Sequence, residues 1–318
     1  MTSVLIFIEA DETGAASQAS LQAITAANQL SPSIVFAVTA GVLSGSESLP
    51  VDTVIELPGI ETSDDGIFDL LTSDLAALIR SKSPDLVLFP KTDQGSVVSA
   101  RVAFRLGAAF AADCTDISGS AGAISVTRPV YGGSALADFS IASTPAVVSV
   151  RAGAFEPSAS DGGSPSTEQA ASVGEGSRGA SVINAVAESR EGVRLEDAPV
   201  VVSGGRGLGG PEPFAVLEDL ANSLDGAVGA SRAACDAGWI DHSHQVGLTG
   251  KTVSPDVYIA VGISGASQHM AGCSSSRAIV AINKDGDSNI FKEARFGVVG
   301  DWEKVLPAFI EQVKALKA

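Results

Sequence analysis

Short apolar runs alternate with stretches of helical periodicity along the first half of the chain. Six such runs are interpreted as buried strands: residues 4–8, 34–38, 53–57, 85–89, 125–130 and 145–150. Between them, apolar residues recur every three or four positions, as in Phe68, Leu71, Leu75 and Ile79. Strands that alternate with helices predict a largely parallel sheet flanked by helices, which is an α/β fold.

The same alternation returns in the second half. Five apolar runs predict strands, and helical periodicity follows the first run at 214–224 and the last at 302–316; the runs are residues 199–203, 227–231, 256–262, 278–283 and 296–300. This half is therefore predicted to be a second, doubly wound α/β domain.

Composition places the boundary between the two halves. Residues 156–178 are rich in Ser, Gly and Pro without periodicity, and are interpreted as an exposed, mobile loop. Weak strand character at 182–186 precedes a charged stretch at 188–197. We predict an N-terminal domain over residues 1–190 and a C-terminal domain over residues 191–318, since 318 residues exceed one average domain.

Charge and leader signals exclude several function classes. The net charge of −17, with no basic stripe, argues against a nucleic-acid partner. The first strand has no basic leader before it, and the chain holds no run of about 18 apolar residues, so no membrane insertion is expected. Three scattered cysteines suit a reducing compartment, so we expect a cytoplasmic protein.

Polar residues follow each predicted strand of the second half. Arg206 follows the first, Ser231 and Arg232 end the second, and Asn283 ends the fourth. Residues 264–269 follow the third strand and Asp301 follows the fifth. Because ligands of open parallel sheets bind beyond the carboxyl ends of the strands, these positions predict a ligand site.

The turn after Ser203 has the spacing Gly-x-Gly-x-x-Gly over residues 205–210. Such glycines let a phosphate approach the backbone before a helix. A site for a nicotinamide cofactor usually has an acidic residue at the tip of the second strand, where it binds a ribose hydroxyl. This chain has Ser231 and Arg232 there. A 2′-phosphate bound by Arg232 keeps an NADP-dependent oxidoreductase open as the alternative function.

Two further patterns resemble known ligand motifs but lack a part that each motif requires. Residues 247–252 look like a phosphate-binding loop, but Gln245 stands where that motif requires Gly and no strand is predicted before it. Residues 241–244, Asp-His-Ser-His, resemble a metal cluster, yet no other region supplies further ligands at a recognisable spacing. We expect no metal. No set of nucleophile, base and orienting group stands out in the first half of the chain.

Four segments of the second half closely resemble the FAD-binding domain of electron transfer flavoprotein alpha subunits. They contain Ser-Gly-Gly-Arg-Gly-Leu at 203–208, Ser-Arg-Ala-Ala at 231–234, Gly-Ile-Ser-Gly-Ala-Ser-Gln-His at 262–269 and Asn-Lys-Asp at 283–285. The resemblance covers essentially all of residues 198–318. It is weaker in the first half, at 127–137 and 151–155.

This resemblance implies an electron carrier that is not itself an enzyme. Members of the family pair with a beta subunit, which holds AMP, and bind one FAD mostly through the alpha C-terminal domain. The resemblance further implies transfer of single electrons through an anionic semiquinone. The donors would be acyl-CoA dehydrogenases of fatty acid beta-oxidation or other flavin dehydrogenases, and the acceptor a membrane quinone oxidoreductase or another protein.

The resemblance also assigns the residues that line the FAD. Arg232 would lie over the flavin ring, Thr249 near the flavin N5, and His269 would donate to the pyrimidine-side oxygen. Gly265, Ala266, Asn283 and Asp301 would serve the phosphates and the adenosine. The full set is Arg206, Ser231, Arg232, Val246, Gly247, Leu248, Thr249, Ser264, Gly265, Ala266, Ser267, Gln268, His269, Asn283, Asp301 and Trp302.

One position of this set departs from the family pattern. The family usually has Gln where this chain has Leu248, so the polar surroundings of the flavin, and with them its potential, are expected to differ. A nucleotide-binding regulatory subunit without a redox role is a third interpretation, but it would leave Arg232, Thr249 and His269 without a task. Whether the carrier splits electron pairs stays open.

Overall fold

The computed structural model describes residues 2–57, 68–133, 135–159, 162–172 and 193–317. The chain divides into two compact units, one of Met1–Val130 with Leu136–Glu188 and one of Tyr131–Ala135 with Ser189–Ala318. Both are built from mostly parallel strands and helices, so the predicted α/β class is confirmed. The predicted boundary between residues 190 and 191, and the stretch 182–186, lie outside the described residues, and the boundary stays a prediction.

The first unit contains a seven-stranded sheet whose paired strands run parallel, in the order β10-β3-β2-β1-β4-β9-β5. A second, three-stranded sheet has the order β6-β7-β8. The elements are β1 (Ser3–Ile8), α1 (Gln18–Asn28), β2 (Ile34–Ala40), β3 (Thr53–Leu57), α2 (Asp69–Lys82), β4 (Leu86–Pro90), α3 (Asp93–Leu106), β5 (Phe110–Cys114), β6 (Asp116–Ser120), β7 (Ala123–Val130), β8 (Ala135–Ile141), β9 (Ala146–Val150) and β10 (Ser166–Gln169).

Burial on both faces explains why β1 is a continuous apolar run. Val4, Ile6 and Ile8 belong to one core cluster, together with residues of α1. Leu5 and Phe7 point to the opposite cluster, which residues of α2 and α3 complete. A parallel strand covered by helices on both faces needs apolar residues at every position and not at every second one.

Four strands of the first unit were not predicted, and each lacks a continuous apolar run. β5, β6 and β8 mix apolar with polar or small residues, and most of β8 is exposed. The prediction that residues 156–178 form a loop is wrong at Ser166–Gln169, because β10 pairs there with β3. All four residues of β10 are exposed, so backbone pairing at the sheet edge forms this strand without apolar burial.

The second unit is the predicted doubly wound domain. Its strands lie in the order β13-β12-β11-β14-β15-β16, and all of its pairs are parallel. The elements are β11 (Val200–Gly204), α4 (Phe214–Ser223), β12 (Ala227–Ser231), α5 (Arg232–Asp236), β13 (Gln245–Val246), β14 (Val257–Val261), α6 (Ser267–Cys273), β15 (Ala278–Asn283), α7 (Ile290–Glu293), β16 (Phe296–Val299) and α8 (Trp302–Lys317).

The five predicted strands of this unit are confirmed as β11, β12, β14, β15 and β16. The expectation that no strand precedes Gly247 is wrong, because the two-residue strand β13 lies directly before it. Residues of α4 and α8 pack with Val202 and Ile259 on one face of the sheet. Residues of α6 and α7 pack with Val201 and Tyr258 on the other face.

The half-buried carboxyl group of Glu9 lies directly after β1 in the first unit. The Thr92 hydroxyl donates to Glu9 Oε1 at 2.6 Å, and the Gly95 N–H donates to Thr92 Oγ1 at 2.8 Å. Burial raises the pKa of Glu9 to about 7, against the hydrogen bonds from Thr92 and from the Gly95 backbone, while the charge of Asp93 raises it further. Ionisation of Glu9 therefore lowers the free energy of unfolding.

We expect the stability of the first unit to fall with rising pH because of Glu9. The folded chain binds the Glu9 proton more tightly than the unfolded chain does, because the pKa is about 7 in the fold and 4.5 without it. The resulting stabilisation is fully present below pH 4.5 and is lost as the pH rises through about 7. Between pH 5.5 and 8 the loss amounts to about 2 kcal/mol, at 1.36 kcal/mol per pKa unit. Glu9→Gln should remove it, as measured by urea unfolding at several pH values.

The matched control for this measurement is Glu47→Gln, which changes an exposed carboxyl in the same unit. It should follow the pH dependence of the unaltered chain. If Glu9→Gln and Glu47→Gln gave the same pH dependence, burial of Glu9 would not be its cause.

Candidate cofactor site

The candidate site lies at the carboxyl ends of the parallel strands in the second unit. Strand order reverses there, because β12 lies on one side of β11 and β14 on the other. Open α/β sheets bind ligands at such a reversal. The loops after the two strands are joined by backbone hydrogen bonds, from Gly205 N–H to the Val261 carbonyl at 2.9 Å and from Gly207 N–H to the Gly262 carbonyl at 3.0 Å.

Close approach of these two loops explains their glycines. A Cβ atom at Gly205 would lie 2.3 Å from the Gly262 carbonyl oxygen, and one at Gly207 would lie 2.8 Å from the Gly262 Cα. Gly262 itself has a φ of +64°, which L side chains rarely adopt. The glycine-rich turn is thus required by packing against the neighbouring loop, whatever ligand it binds.

A second loop, residues 247–250, closes on itself and contacts the start of α6. Lys251 N–H donates to the Gln245 carbonyl at 2.7 Å, and Leu248 N–H donates to the Gln268 carbonyl at 2.7 Å. The Gln245 side-chain amide donates to the Thr249 hydroxyl at 3.0 Å. The Leu248 side chain remains 60% exposed. The fold therefore brings predicted site residues from β13 and α6 together.

His269 is the buried polar residue at the centre of this arrangement. Only 8% of it is exposed, and its Nε2 lies 2.9 Å from the Tyr258 hydroxyl. Burial lowers the pKa of His269 to about 4, although the Val246 carbonyl acts in the opposite direction. At neutral pH the imidazole is therefore uncharged and carries one N–H.

Three buried polar atoms at this edge lack a hydrogen-bond partner among the described residues: Ser203 Oγ, Ser231 Oγ and His269 Nδ1. Each such atom costs about 1–3 kcal/mol if it stays unpaired. Ser203 and Ser231 lie near the ends of β11 and β12, and His269 lies beside the loop that follows β13. A polar ligand at the strand ends would supply the missing partners, so the site fits a bound cofactor.

Other predicted site residues hold the loops in place. Asn283 donates from its amide to the Ile263 carbonyl at 2.9 Å and accepts the Asp285 N–H at 3.0 Å. Asp301 accepts the Glu303 N–H at 3.1 Å at the start of α8, where Trp302 is half-buried. The exposed Arg232 lies 3.3 Å from Asp236, one turn further along α5.

All of the predicted site residues follow or end strands β11 to β16 at the same edge of the sheet. Arg206 is exposed in the turn after β11, and Gly265 packs against the backbone of Ile290. Ser264, Ala266, Ser267 and Gln268 are exposed around the start of α6. Which of these residues touch a cofactor stays a prediction.

Sequence reasoning missed the role of Tyr258 in this site. The tyrosine was counted as part of an apolar strand, yet its hydroxyl is the partner of His269. The available signal was a hydroxyl in an otherwise aliphatic buried strand, since a buried tyrosine hydroxyl usually needs a hydrogen-bond partner.

Among the described residues, no group of three or more His, Cys, Asp or Glu side chains could hold a metal ion. No described helix is both long enough and apolar enough to cross a membrane.

The fold and the site together define a class of protein. A doubly wound parallel sheet with glycine loops and unpaired polar atoms at its reversal point is a cofactor-binding α/β domain of the dinucleotide type. The first unit is a second α/β domain with its own sheet.

Comparison with known proteins narrows this class. Residues 194–274 match the electron transfer flavoprotein FAD-binding domain, and residues 4–175 match the electron transfer flavoprotein domain. The electron transfer flavoprotein subunits alpha of Mycobacterium leprae and of Mycobacterium tuberculosis strain H37Rv are 39% and 40% identical, each over 100% of both chains. That of Bacillus subtilis is 40% identical over 76% of this chain and 74% of its own.

The chain therefore belongs to the family of electron transfer flavoprotein alpha subunits, as the sequence motifs predicted. Its second unit contains the FAD-binding domain of that family, so the cofactor class is a flavin.

The contact between the two loops can be tested by substitution at Gly205. Gly205→Ala should destabilise the second unit by about 1–3 kcal/mol, because the added Cβ overpacks against the Gly262 carbonyl and Ile263. Unfolding in denaturant and the flavin content of the purified protein measure this effect.

Gly210→Ala is the matched control, since its Cβ would meet only the flexible carboxylate end of Glu212. It should change the free energy of unfolding by less than about 0.5 kcal/mol. Equal effects of the two substitutions would show that the contact between the loops does not constrain Gly205.

Proposed function

We propose that this chain is the alpha subunit of a heterodimeric electron transfer flavoprotein that binds FAD between the strand-end loops of its second unit. The beta subunit is its partner and holds AMP. The protein carries electrons singly, through an anionic semiquinone. They come from flavin dehydrogenases such as acyl-CoA dehydrogenases and pass to a membrane quinone oxidoreductase or another acceptor. It acts in the cytoplasm as a carrier, without a substrate of its own.

The observation that carries this proposal is the set of unpaired buried atoms Ser203 Oγ, Ser231 Oγ and His269 Nδ1. They lie in the domain that matches a FAD-binding family, at the edge where a cofactor of that family would supply hydrogen-bond partners. Full-length relatives that bear the name of an electron transfer flavoprotein subunit alpha support the same function.

The residues assigned by resemblance have chemistry suited to a flavin. The FAD supplies the redox chemistry, and this chain would bind it, orient it and set its potential. His269 is neutral and can donate one N–H without a charge of its own. Arg232, exposed beside the site, supplies a cation that favours negative charge on a reduced ring.

An NADP-dependent oxidoreductase remains the competing function. The glycine turn after Ser203 was its main support, and that turn is accounted for by packing against Gly262. The exposed pairing of Arg232 with Asp236 does not distinguish a 2′-phosphate from a flavin as the ligand of that cation. The match of residues 194–274 to a FAD-binding domain favours the flavin carrier.

Co-production with the beta subunit tests the proposal. We expect a yellow heterodimer that releases FAD on denaturation. During stepwise anaerobic reduction its visible spectrum should pass through a red anionic semiquinone. A colourless complex that binds NADPH would overturn the proposal, and so would a flavin complex that is reduced only by two electrons at once.

His269 gives a quantitative prediction for the same complex. A hydrogen bond to a charged group is worth about 1.5–3 kcal/mol. Loss of this donor in His269→Ala should therefore lower the first reduction potential by about 60–130 mV, since 59 mV corresponds to a tenfold change in the equilibrium constant of a one-electron reduction. Spectroelectrochemical titration measures it.

His244→Ala is the control for this titration, since His244 lies before β13 and contacts Ser243. It should leave the potential unchanged. A first reduction potential that stays constant in His269→Ala would exclude His269 as the donor that tunes the flavin.

A further inference from the structure

A hydroxyl and an imidazole form a buried pair behind the candidate site. Tyr258 is fully buried in β14, and its hydroxyl lies 2.9 Å from Nε2 of His269 in α6. The two ring centroids are 6.0 Å apart at an interplanar angle of 57°, so the rings meet at a tilt and do not stack. The contact is thus a directed hydrogen bond between two residues eleven positions apart.

The protonation states of the pair restrict how the hydrogen bond can run. Burial raises the pKa of Tyr258 well above 10, so the phenol keeps its proton at physiological pH. Burial also holds the pKa of His269 at about 4, so the imidazole has one N–H and one bare nitrogen. The phenol proton needs an acceptor, and a bare ring nitrogen is a strong one.

Two other side chains lie beside the phenol, the Ser203 hydroxyl and the Cys273 thiol. Ser203 lowers the pKa of Tyr258, which is the effect of a hydroxyl that acts as a donor toward the phenol oxygen and not as its acceptor. The thiol is a poor acceptor. The Cys273 thiol adjoins Tyr258, and its own Sγ–H donates to the His269 carbonyl at 3.6 Å. Burial raises the pKa of Cys273 to about 12, so it remains a thiol, whose sulfur accepts hydrogen bonds only weakly. The phenol therefore donates to Nε2, and the imidazole proton must lie on Nδ1.

We infer that Tyr258 is a positioning residue for His269: its hydroxyl donates to Nε2, fixes the Nδ1–H tautomer, and leaves that N–H for an acceptor atom of the cofactor. Nδ1 is the ring nitrogen that is buried without a hydrogen-bond partner among the described residues. The Val246 carbonyl, which raises the pKa of the same imidazole, is a protein acceptor that competes with the cofactor for this N–H. In the opposite tautomer Nδ1 would be bare and could not donate to a flavin oxygen. The consequence at the flavin rests on the proposed function, whereas the tautomer itself does not.

The tautomer can be measured directly by NMR in the full-length chain. The chain contains three histidines, so labelling with ¹⁵N-histidine gives three pairs of ring signals. His242→Gln and His244→Gln identify those of His269. Long-range ¹H–¹⁵N correlation then shows which nitrogen carries the proton, both in the chain alone and in the complex with the beta subunit and FAD. We expect Nδ1–H in the unaltered protein, and Nε2–H would overturn the inference.

Tyr258→Phe tests whether the hydroxyl causes this preference, because it removes one oxygen and keeps the ring. We expect the excess of the Nδ1–H tautomer to fall about fivefold, as for the loss of one hydrogen bond. The first reduction potential of the flavin complex should fall by about 40 mV, which is a fivefold change at 59 mV per tenfold. Tyr131→Phe, at the chain's other tyrosine, is exposed and should change neither.

The outcomes separate this inference from the proposed function. If the Nδ1–H tautomer depends on Tyr258 but the complex binds no flavin, the positioning role of Tyr258 is supported and the proposed electron-carrier function is overturned. A flavin complex in which Tyr258→Phe changes neither tautomer nor potential would keep the carrier and reduce Tyr258 to a packing residue. If Tyr258→Phe does not fold, the tautomer of the unaltered chain decides.

Discussion

The second unit depends on the contact between the loops that follow β11 and β14. Their backbones touch through Gly205, Gly207 and Gly262, with no side chain between them. These strands are neighbours in the sheet but are separated in sequence by α4, β12, α5 and β13. The contact lies where the chain reverses its winding, and it holds these two loops against each other at the strand ends.

The polar residues of the candidate site near this contact form two layers, one exposed and one buried. The exposed layer contains Arg206, Ser264 and Gln268, which solvent or a ligand can reach. The buried layer contains Ser203, Tyr258 and His269, whose polar atoms depend on one another or on a ligand. Water can replace a ligand in the first layer but not in the second. Binding of a polar cofactor should therefore stabilise the buried layer more than the exposed one.

Much of this arrangement could be predicted from the sequence. Strands buried on both faces, such as β1 and β14, are continuous apolar runs, and the polar residues after them mark the functional edge. Strands without a continuous apolar run, such as the exposed β10 and the two-residue β13, leave no apolar pattern long enough to detect. The pairing of Tyr258 with His269 was equally hidden, because it depends on how α6 packs against the sheet and not on spacing.

Leu248 shows how such a site can vary without a change of fold. Its backbone N–H holds the loop to Gln268, and that bond is independent of the side chain. The side chain itself is 60% exposed and makes no contribution to the core. Exchange between Leu and the Gln usual in the family should therefore keep the loop in place while it adds or removes a polar group beside the cofactor. In the proposed FAD site, the potential of the flavin could thus be changed at Leu248 without loss of binding, whereas at His269 both would depend on the buried pair with Tyr258.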